Sequence, residues 1–427
     1  MNSLLDIVAR HKADERVGIT SVCSAHPLVV EATLRHGLAR NSPLVLIEAT
    51  SNQVNQDGGY TGMVPAAFRD FVHAIADRVG FPRDRIMLGG DHLGPNAWSA
   101  LPAGDAMQRA DVLIDSYVRA GFGKIHLDCS MSCADDPSLL PEAVVAARAA
   151  RLCAVAERAH ADIGGQAPVY VIGTEVPVPG GAAEVLAALA VTSPEAAHAT
   201  IDLHRELFER VGLGAVWPRV IAAVVQPGVE FDHHKVIDYR PEAARALSHS
   251  IEREPGMVFE AHSTDYQTPT LLAALVRDHF AILKVGPGVT FALREALWGL
   301  DAIEREIIPP PRQSGFRDVV LARMKADPAH WRKYYETTGP ALDIDLQYSL
   351  SDRIRYYWSD PAIMRAQAVM FDNLTRTPPP VPLISQYLPQ AYAAVRSGAA
   401  SATPEGLAIA SVAFVLDAYH LACSPNA

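Results

Sequence analysis

The chain has 427 residues, 49% hydrophobic and 20% charged, a soluble globular composition long enough for one large α/β domain with an appendage or for two ordinary domains. Its 48 acidic residues outnumber the 37 basic ones for a formal charge of −11, and no stretch carries a basic cluster. Nucleic acid and anionic membrane surfaces are therefore excluded as expected partners, whereas a small anion can still be held by a few local donors in a cleft.

The N-terminal stretch MNSLLDIVARHKADE reads as an amphipathic helix with both charge signs, unlike an export signal. No apolar run approaches a membrane span, and a cytoplasmic location is expected. Eight short apolar runs then alternate with helical stretches. They are VGITSVC at 17–23, PLVLIEAT at 43–50, RIMLGGDH at 85–92, KIHLDCS at 124–130, VYVIGTE at 169–175, VIAAVVQPG at 220–228, MVFEAHS at 257–263 and FAILKVGPG at 280–288. Each is rich in β-branched residues or Leu and too short for a stable helix, as strands buried on both faces are. Between them, segments such as PAAFRDFVHAIADRVG repeat apolar residues at intervals of three and four, and several end at a glycine: Gly80, Gly121 and Gly212.

This alternation predicts a (β/α)8 barrel, with an open doubly wound sheet as the alternative. The first run lacks a Gly-x-Gly-x-x-Gly turn, and polar residues gather at the end of nearly every run, which favours the barrel. The barrel is assigned to residues 1–306. After the proline-rich linker IIPPPRQSG, residues 307–427 are expected to form a mostly helical extension, packed onto the barrel by the aromatics of WRKYYE and DRIRYYW. The five cysteines are odd in number. Cys129 and Cys133 have a metal-compatible spacing without a second pair at zinc-ribbon distance, so reduced thiols are expected.

The chemistry is expected at the strand ends. Asp91 and His92 follow two glycines that leave room for a ligand to approach the backbone, and together supply a proton-transfer carboxylate and a metal-ligating imidazole. The ordinary reading of the same residues is a loop-capped histidine and a helix N-cap. His126 and Asp128 share a face because side chains repeat every two residues. Glu175 follows the fifth run, Gln226 the sixth, and His262 and Asp265 the seventh. A divalent-metal site is expected from His92, His262 and Glu175, an N/O set typical of zinc. Asp91, Glu175 and Asp128 are the catalytic candidates. Lys284, Gly286 and Gly288 open a helix and are expected to bind phosphate; Ser24, His26, Asn52, His126, Gln226 and Asp265 complete the substrate cleft.

The blocks CSAHPLV, IEATSNQVNQ, GGYTGM, GGDHLGPN, KIHLDCSMSC, GTEVPVPGG, VVQPGVEFDH, EAHSTDYQT, HFAILKVGP, SLSDRIRYYW and ISQYLP resemble the GatZ/KbaZ family, the non-catalytic Z subunit of class II tagatose-1,6-bisphosphate aldolase, also labelled tagatose-6-phosphate kinase. The resemblance covers nearly the whole chain. It implies a class II aldolase-type barrel in galactitol or N-acetylgalactosamine catabolism that binds a ketose phosphate, supports a catalytic aldolase subunit and forms an oligomer. Asp91 and His92 resemble the aldolase proton-transfer Asp and zinc His, and His262 the later zinc His. Two departures stand out: Gln226-Pro227-Gly228 where another zinc His is placed, and Ser263-Thr264-Asp265 where a Gly-Gly-Ser phosphate loop is placed. They leave open a different ligand set or no aldol cleavage at all. The alternative function is a stand-alone, metal-dependent ketose-phosphate 4-epimerase or aldolase working by retro-aldol chemistry. A kinase is disfavoured, since no Gly-x-x-x-x-Gly-Lys-Ser/Thr loop is present.

Overall fold

The computed structural model describes residues 3–173 and 189–424. Eight parallel strands close into a barrel: β1 Ile19–Cys23, β2 Val45–Thr50, β3 Ile86–Leu93, β4 Lys124–Leu127, β5 Val169–Gly173, β6 Val220–Val224, β9 Val258–Ala261 and β10 Phe280–Val285. Between β6 and β9 lies an antiparallel ribbon that the sequence reading missed, β7 Glu230–Phe231 with β8 Val236–Ile237. Its two-residue strands carry too little pattern to be read. Seven of the predicted runs contain a whole barrel strand, and the run at 85–92 covers all of β3 except Leu93. Gly80, Gly121 and Gly212 follow helices with φ of 74°, 88° and 82°, the left-handed backbone that glycine adopts without a Cβ penalty.

Strand alternation sorts the interior into layers. Ile19, Leu46, Met87, Val169, Val171, Val258 and Ile282 face inward at the lower end, where the N-terminal helix Ser3–Lys12 inserts the buried Leu4 and Val8 and closes the barrel. One pleat higher, the inward positions are Glu48, Lys124, Glu260 and Lys284, and above them Asp91, His126 and His262. The outward residues of the same strands, such as Leu88, Ile125, Ile172 and Leu283, join the larger core beneath the helical ring.

Helix Pro287–Ile307 follows β10, and further helices continue to the end of the described chain. Trp331, Tyr335, Tyr357 and Trp358 are buried, and Trp358 packs edge-on against Trp298 at 6.5 Å and flat on Phe316 at 6.3 Å. The final helix, Pro404–Cys423, corrects the expectation that no apolar run approaches a membrane span. Its length and mean hydropathy of 1.6 suffice for one. Half of it is buried, however, against helices Pro27–Ala39, Pro269–Arg277 and Pro287–Ile307, as a core helix would be. All five cysteines are free thiols.

A candidate metal and substrate site at the barrel mouth

The site begins with a break in β3. Regular alternation would point Asp91 inward and His92 outward. Instead His92 adopts φ 47°, the pairing with β4 shifts register between Gly90 and Leu93, and both side chains enter the mouth. The His92 N–H leaves the strand ladder and donates to Nδ1 of His126 at 3.2 Å. A left-handed non-glycine residue is strained by about 1–2 kcal/mol and persists only where its surroundings fix it. Here the clamp is Asp128, whose Oδ2 lies 2.8 Å from His92 Nδ1 while its Oδ1 accepts from the Ser130 N–H and hydroxyl.

The two glycines before Asp91 serve a purpose other than the expected ligand approach. A Cβ at Gly89 would meet the Glu48 carboxylate at 2.5 Å, and one at Gly90 would meet Leu93 and Tyr117. Their missing side chains make room for a buried charge inside and an aromatic ring outside. Gly94 is similarly enforced by the carbonyl of Asp128.

One donor atom each from Asp91, His92, His126 and His262 lies within 4.8 Å of the others, all four residues buried. His126 Nε2 lies 2.9 Å from the Gly173 carbonyl, so that nitrogen carries the hydrogen and Nδ1 is left with a lone pair. That lone pair accepts the His92 N–H, and Asp91 Oδ1 lies 3.1 Å from the same nitrogen. Three imidazoles and a carboxylate form the donor set that divalent transition ions prefer, so the residues present fit a metal. His262 is oriented by Glu260, whose Oε1 is 2.9 Å from its Nε2, the carboxylate–imidazole pairing usual behind metal-binding histidines.

Beneath the cluster runs a chain of alternating charge. Lys284 Nζ contacts Asp91 Oδ2 at 2.8 Å and also Glu48; Lys124 Nζ bridges Glu48 at 2.7 Å and Glu260 at 2.8 Å. Lys284, expected to bind phosphate, is thus committed to internal carboxylates. Burial pushes the Asp91 carboxyl up, but His92 and Lys284 outweigh it and hold it well below the ordinary carboxylate range. Burial disfavours the charged forms of Lys124, Lys284 and His92 as well, and in each the neighbouring carboxylates reverse the effect and raise the pKa. Glu48 and Lys124 are the residues that sequence reasoning missed. Their signal was present: a charge set among the apolar residues of a doubly buried strand.

Other expected site residues divide. Ser24 and His26 line a cavity of about 740 Å³ that opens beside the cluster, but both also shape the start of helix Pro27–Ala39: the Ser24 hydroxyl accepts the His26 N–H and His26 Nδ1 accepts the Leu28 N–H. The Gln226 side-chain oxygen accepts the N–H groups of Gly228 and Val229, so it holds a turn. Asn52 is exposed. Asp265 Oδ1 accepts the N–H groups of Gly286 at 3.0 Å and Gly288 at 2.7 Å, which occupies the donors expected to meet phosphate. Glu175 and its loop lie outside the described residues.

A family described as D-tagatose-1,6-bisphosphate aldolase subunit GatZ/KbaZ-like matches residues 4–424. The chain belongs to that family. A solved structure of a probable tagatose 6 phosphate kinase from Sinorhizobium meliloti is 51% identical, covering 95% of this chain and 100% of its own, with a TM-score of 0.88. The fructuronate-tagaturonate epimerase UxaE from Cohnella laeviribosi shares the fold at a TM-score of 0.52 and 13% identity, covering 94% of this chain and 81% of that one. The GatZ/KbaZ-like chain thus joins a (β/α)8 barrel to a buried, metal-compatible cluster at its mouth.

Proposed function

We propose that the chain binds a ketose phosphate at a divalent-metal site in its barrel mouth and carries out aldolase-type chemistry on tagatose phosphates. The observation behind this reading is the convergence of Asp91, His92, His126 and His262 within 4.8 Å in a buried mouth. A pure scaffold has no need of it, because buried polar and charged groups destabilise unless paired. His126 joins His92 and His262 as a proposed ligand, in place of the substrate contact first expected of it. What a bound ion such as zinc supplies there is Lewis-acid polarisation of the ketose carbonyl.

The chain's own residues do the rest. Asp91, held ionised beside Lys284, takes the proton of the C4 hydroxyl as the C3–C4 bond breaks, and the electron pair of that bond passes to the ketone oxygen. Asp128 keeps His92 in place, and Glu175, just after β5 in sequence, is a second proton-transfer candidate. Re-addition to the opposite face of the aldehyde would give a 4-epimer. The kinase named for the Sinorhizobium protein has less support in this chain, since the glycine-loop N–H groups already serve Asp265.

A second reading has the chain supporting a separate catalytic aldolase in a cytoplasmic oligomer, and it is favoured by the family description as a subunit. Purified protein, with and without zinc, incubated with D-tagatose 1,6-bisphosphate separates the two. Zinc-dependent release of triose phosphate that disappears in His92→Ala and His126→Ala supports the first. No turnover alone, combined with activation of an added catalytic subunit, replaces it with the second.

A further inference from the structure

The anion-binding element expected after β10 is taken by Asp265, so an anionic substrate needs another cation, and the helical extension brings one to the mouth. The 740 Å³ cavity lies between the loops after β1 and β2 and the segment from residue 355 onward. At its inner end Cys23 and Gln53 form part of the wall, and the Cys23 sulfur is 3.9 Å from Asp91 Oδ2, so the cavity ends against the metal-compatible cluster. Among the described residues that line it, Arg355 alone is Lys or Arg.

Arg355 is held with no described carboxylate in direct contact, the buried Asp352 carboxylate acting on it from beyond ion-pair distance. Its guanidinium donates to the carbonyls of Ser351 and Asp352 and to the Tyr356 hydroxyl at 3.1 Å, all uncharged acceptors. Its Nε–H donates to no described residue. The segment that carries it is fixed over the mouth from three sides: Leu350 N–H donates to the His233 carbonyl at 2.9 Å, the Tyr266 hydroxyl donates to the Leu350 carbonyl, and the Thr290 hydroxyl donates to Asp352 Oδ2. Asp352 itself sits at φ 45°, a left-handed turn that directs the chain into the short helix Arg353–Tyr357. A planar cation with unspent donors, preorganised at a cavity wall, suits an oxyanion. The outer rim carries Asp372 and Glu405 and the chain is acidic overall, so long-range attraction does not account for anion binding and a local contact must.

We propose that Arg355 recognises the anionic end of the substrate, a phosphate or carboxylate on a sugar whose other end reaches the Asp91–His92–His126–His262 cluster. This rests on the metal-site reading above, and its test is chosen to fail separately. In titration calorimetry of the zinc-loaded protein, Arg355→Met is expected to weaken binding of D-tagatose 1,6-bisphosphate or of D-tagaturonate at least about tenfold, the loss of a charge-assisted contact. Binding of uncharged D-tagatose and of zinc is expected to stay the same, and Arg355→Lys to recover part of the loss. Equal affinities of wild type and Arg355→Met for both anions overturn the proposal.

Because Arg355 also holds a turn, the wild type supplies a second arm that does not depend on the variant folding. Phenylglyoxal labelling of Arg355, read by mass spectrometry, is expected to be blocked by inorganic phosphate if the recognised group is a phosphate, and by D-tagaturonate alone if it is a carboxylate. Labelling unchanged by either anion overturns the subsite. A protein that binds zinc without anion protection loses only Arg355's role; one that binds no metal yet shows protection loses only the metal reading.

Discussion

The two ends of the barrel interior are built from opposite chemistry on the same strands. The lower end is apolar, sealed by Leu4 and Val8 from the N-terminal helix against Ile19, Leu46 and Ile282. Two residues further along the strands, Leu46 gives way to Glu48 and Ile282 to Lys284, both buried. The lower layer contributes stability by removing apolar surface from water. The charged layer opposes folding unless every member keeps its partner, so its presence is explained by what it holds above it: Asp91 through Lys284, and His262 through Glu260.

The largest effect comes from breaking the charged layer. Lys124→Met removes the cation between Glu48 and Glu260, leaving Glu48 only Lys284 and Glu260 only His262 as ionic partners among the described residues. A loss of about 3–5 kcal/mol of stability is expected, as for a buried pair deprived of one partner. Equilibrium denaturant unfolding measures it, and a loss under 1 kcal/mol would mean that the layer is hydrated rather than dry. Leu4→Ala probes the opposite end. It opens a cavity under the barrel and is expected to lower stability by about 2–4 kcal/mol while leaving zinc affinity unchanged. A fall in zinc affinity in step with stability would collapse the distinction between the ends.

The same division explains what was legible in the sequence. The eight strands were readable because a doubly buried strand is a continuous apolar run, and the mouth was readable because polar residues follow those runs. His92 and His262 were recognised as ligand candidates by type and place. His126 was expected as a substrate contact and not as a ligand candidate, because nothing local reports that β4 brings it beside His92. The glycine loop after β10 was misread for a related reason: its sequence is that of an anion cradle, and only the fold delivers Asp265 to fill it. Glu48 and Lys124 escaped because a charge in an apolar run looks like a strand boundary until its partner on another strand is known. Arg355 lies far along the chain in a segment read as packing.

A smaller effect sharpens the link between the clamp and the cluster. Asp128→Asn keeps the shape of the residue that holds His92 but removes the charge and changes which tautomer of the imidazole is favoured. Zinc affinity, measured by competition with a chelating dye, is expected to fall about ten- to a hundredfold with little change in unfolding midpoint. A large stability loss with unchanged affinity would make Asp128 part of the fold alone.

The smallest effect concerns a residue of the cavity wall. Burial pushes the pKa of His26 down to about 4, and its Nδ1 caps helix Pro27–Ala39 by accepting the Leu28 N–H. Protonation destroys that acceptor. Because the folded pKa lies below the unfolded value of about 6.5, the contribution of His26 to stability is complete above pH 6.5 and declines as pH falls toward 4. His11, His36 and His204 are lowered in the same direction, so the total acid sensitivity says nothing about His26 alone. The difference between wild type and His26→Asn isolates it, since asparagine caps a helix equally well and does not titrate. The two proteins are expected to unfold at nearly the same denaturant concentration at pH 7.5, with the variant gaining on the wild type as pH drops from 6.5 to 4.5. Parallel curves over that range would mean that the imidazole reaches solvent without losing its cap, and that the cavity wall beside Trp358 opens more readily than its packing implies.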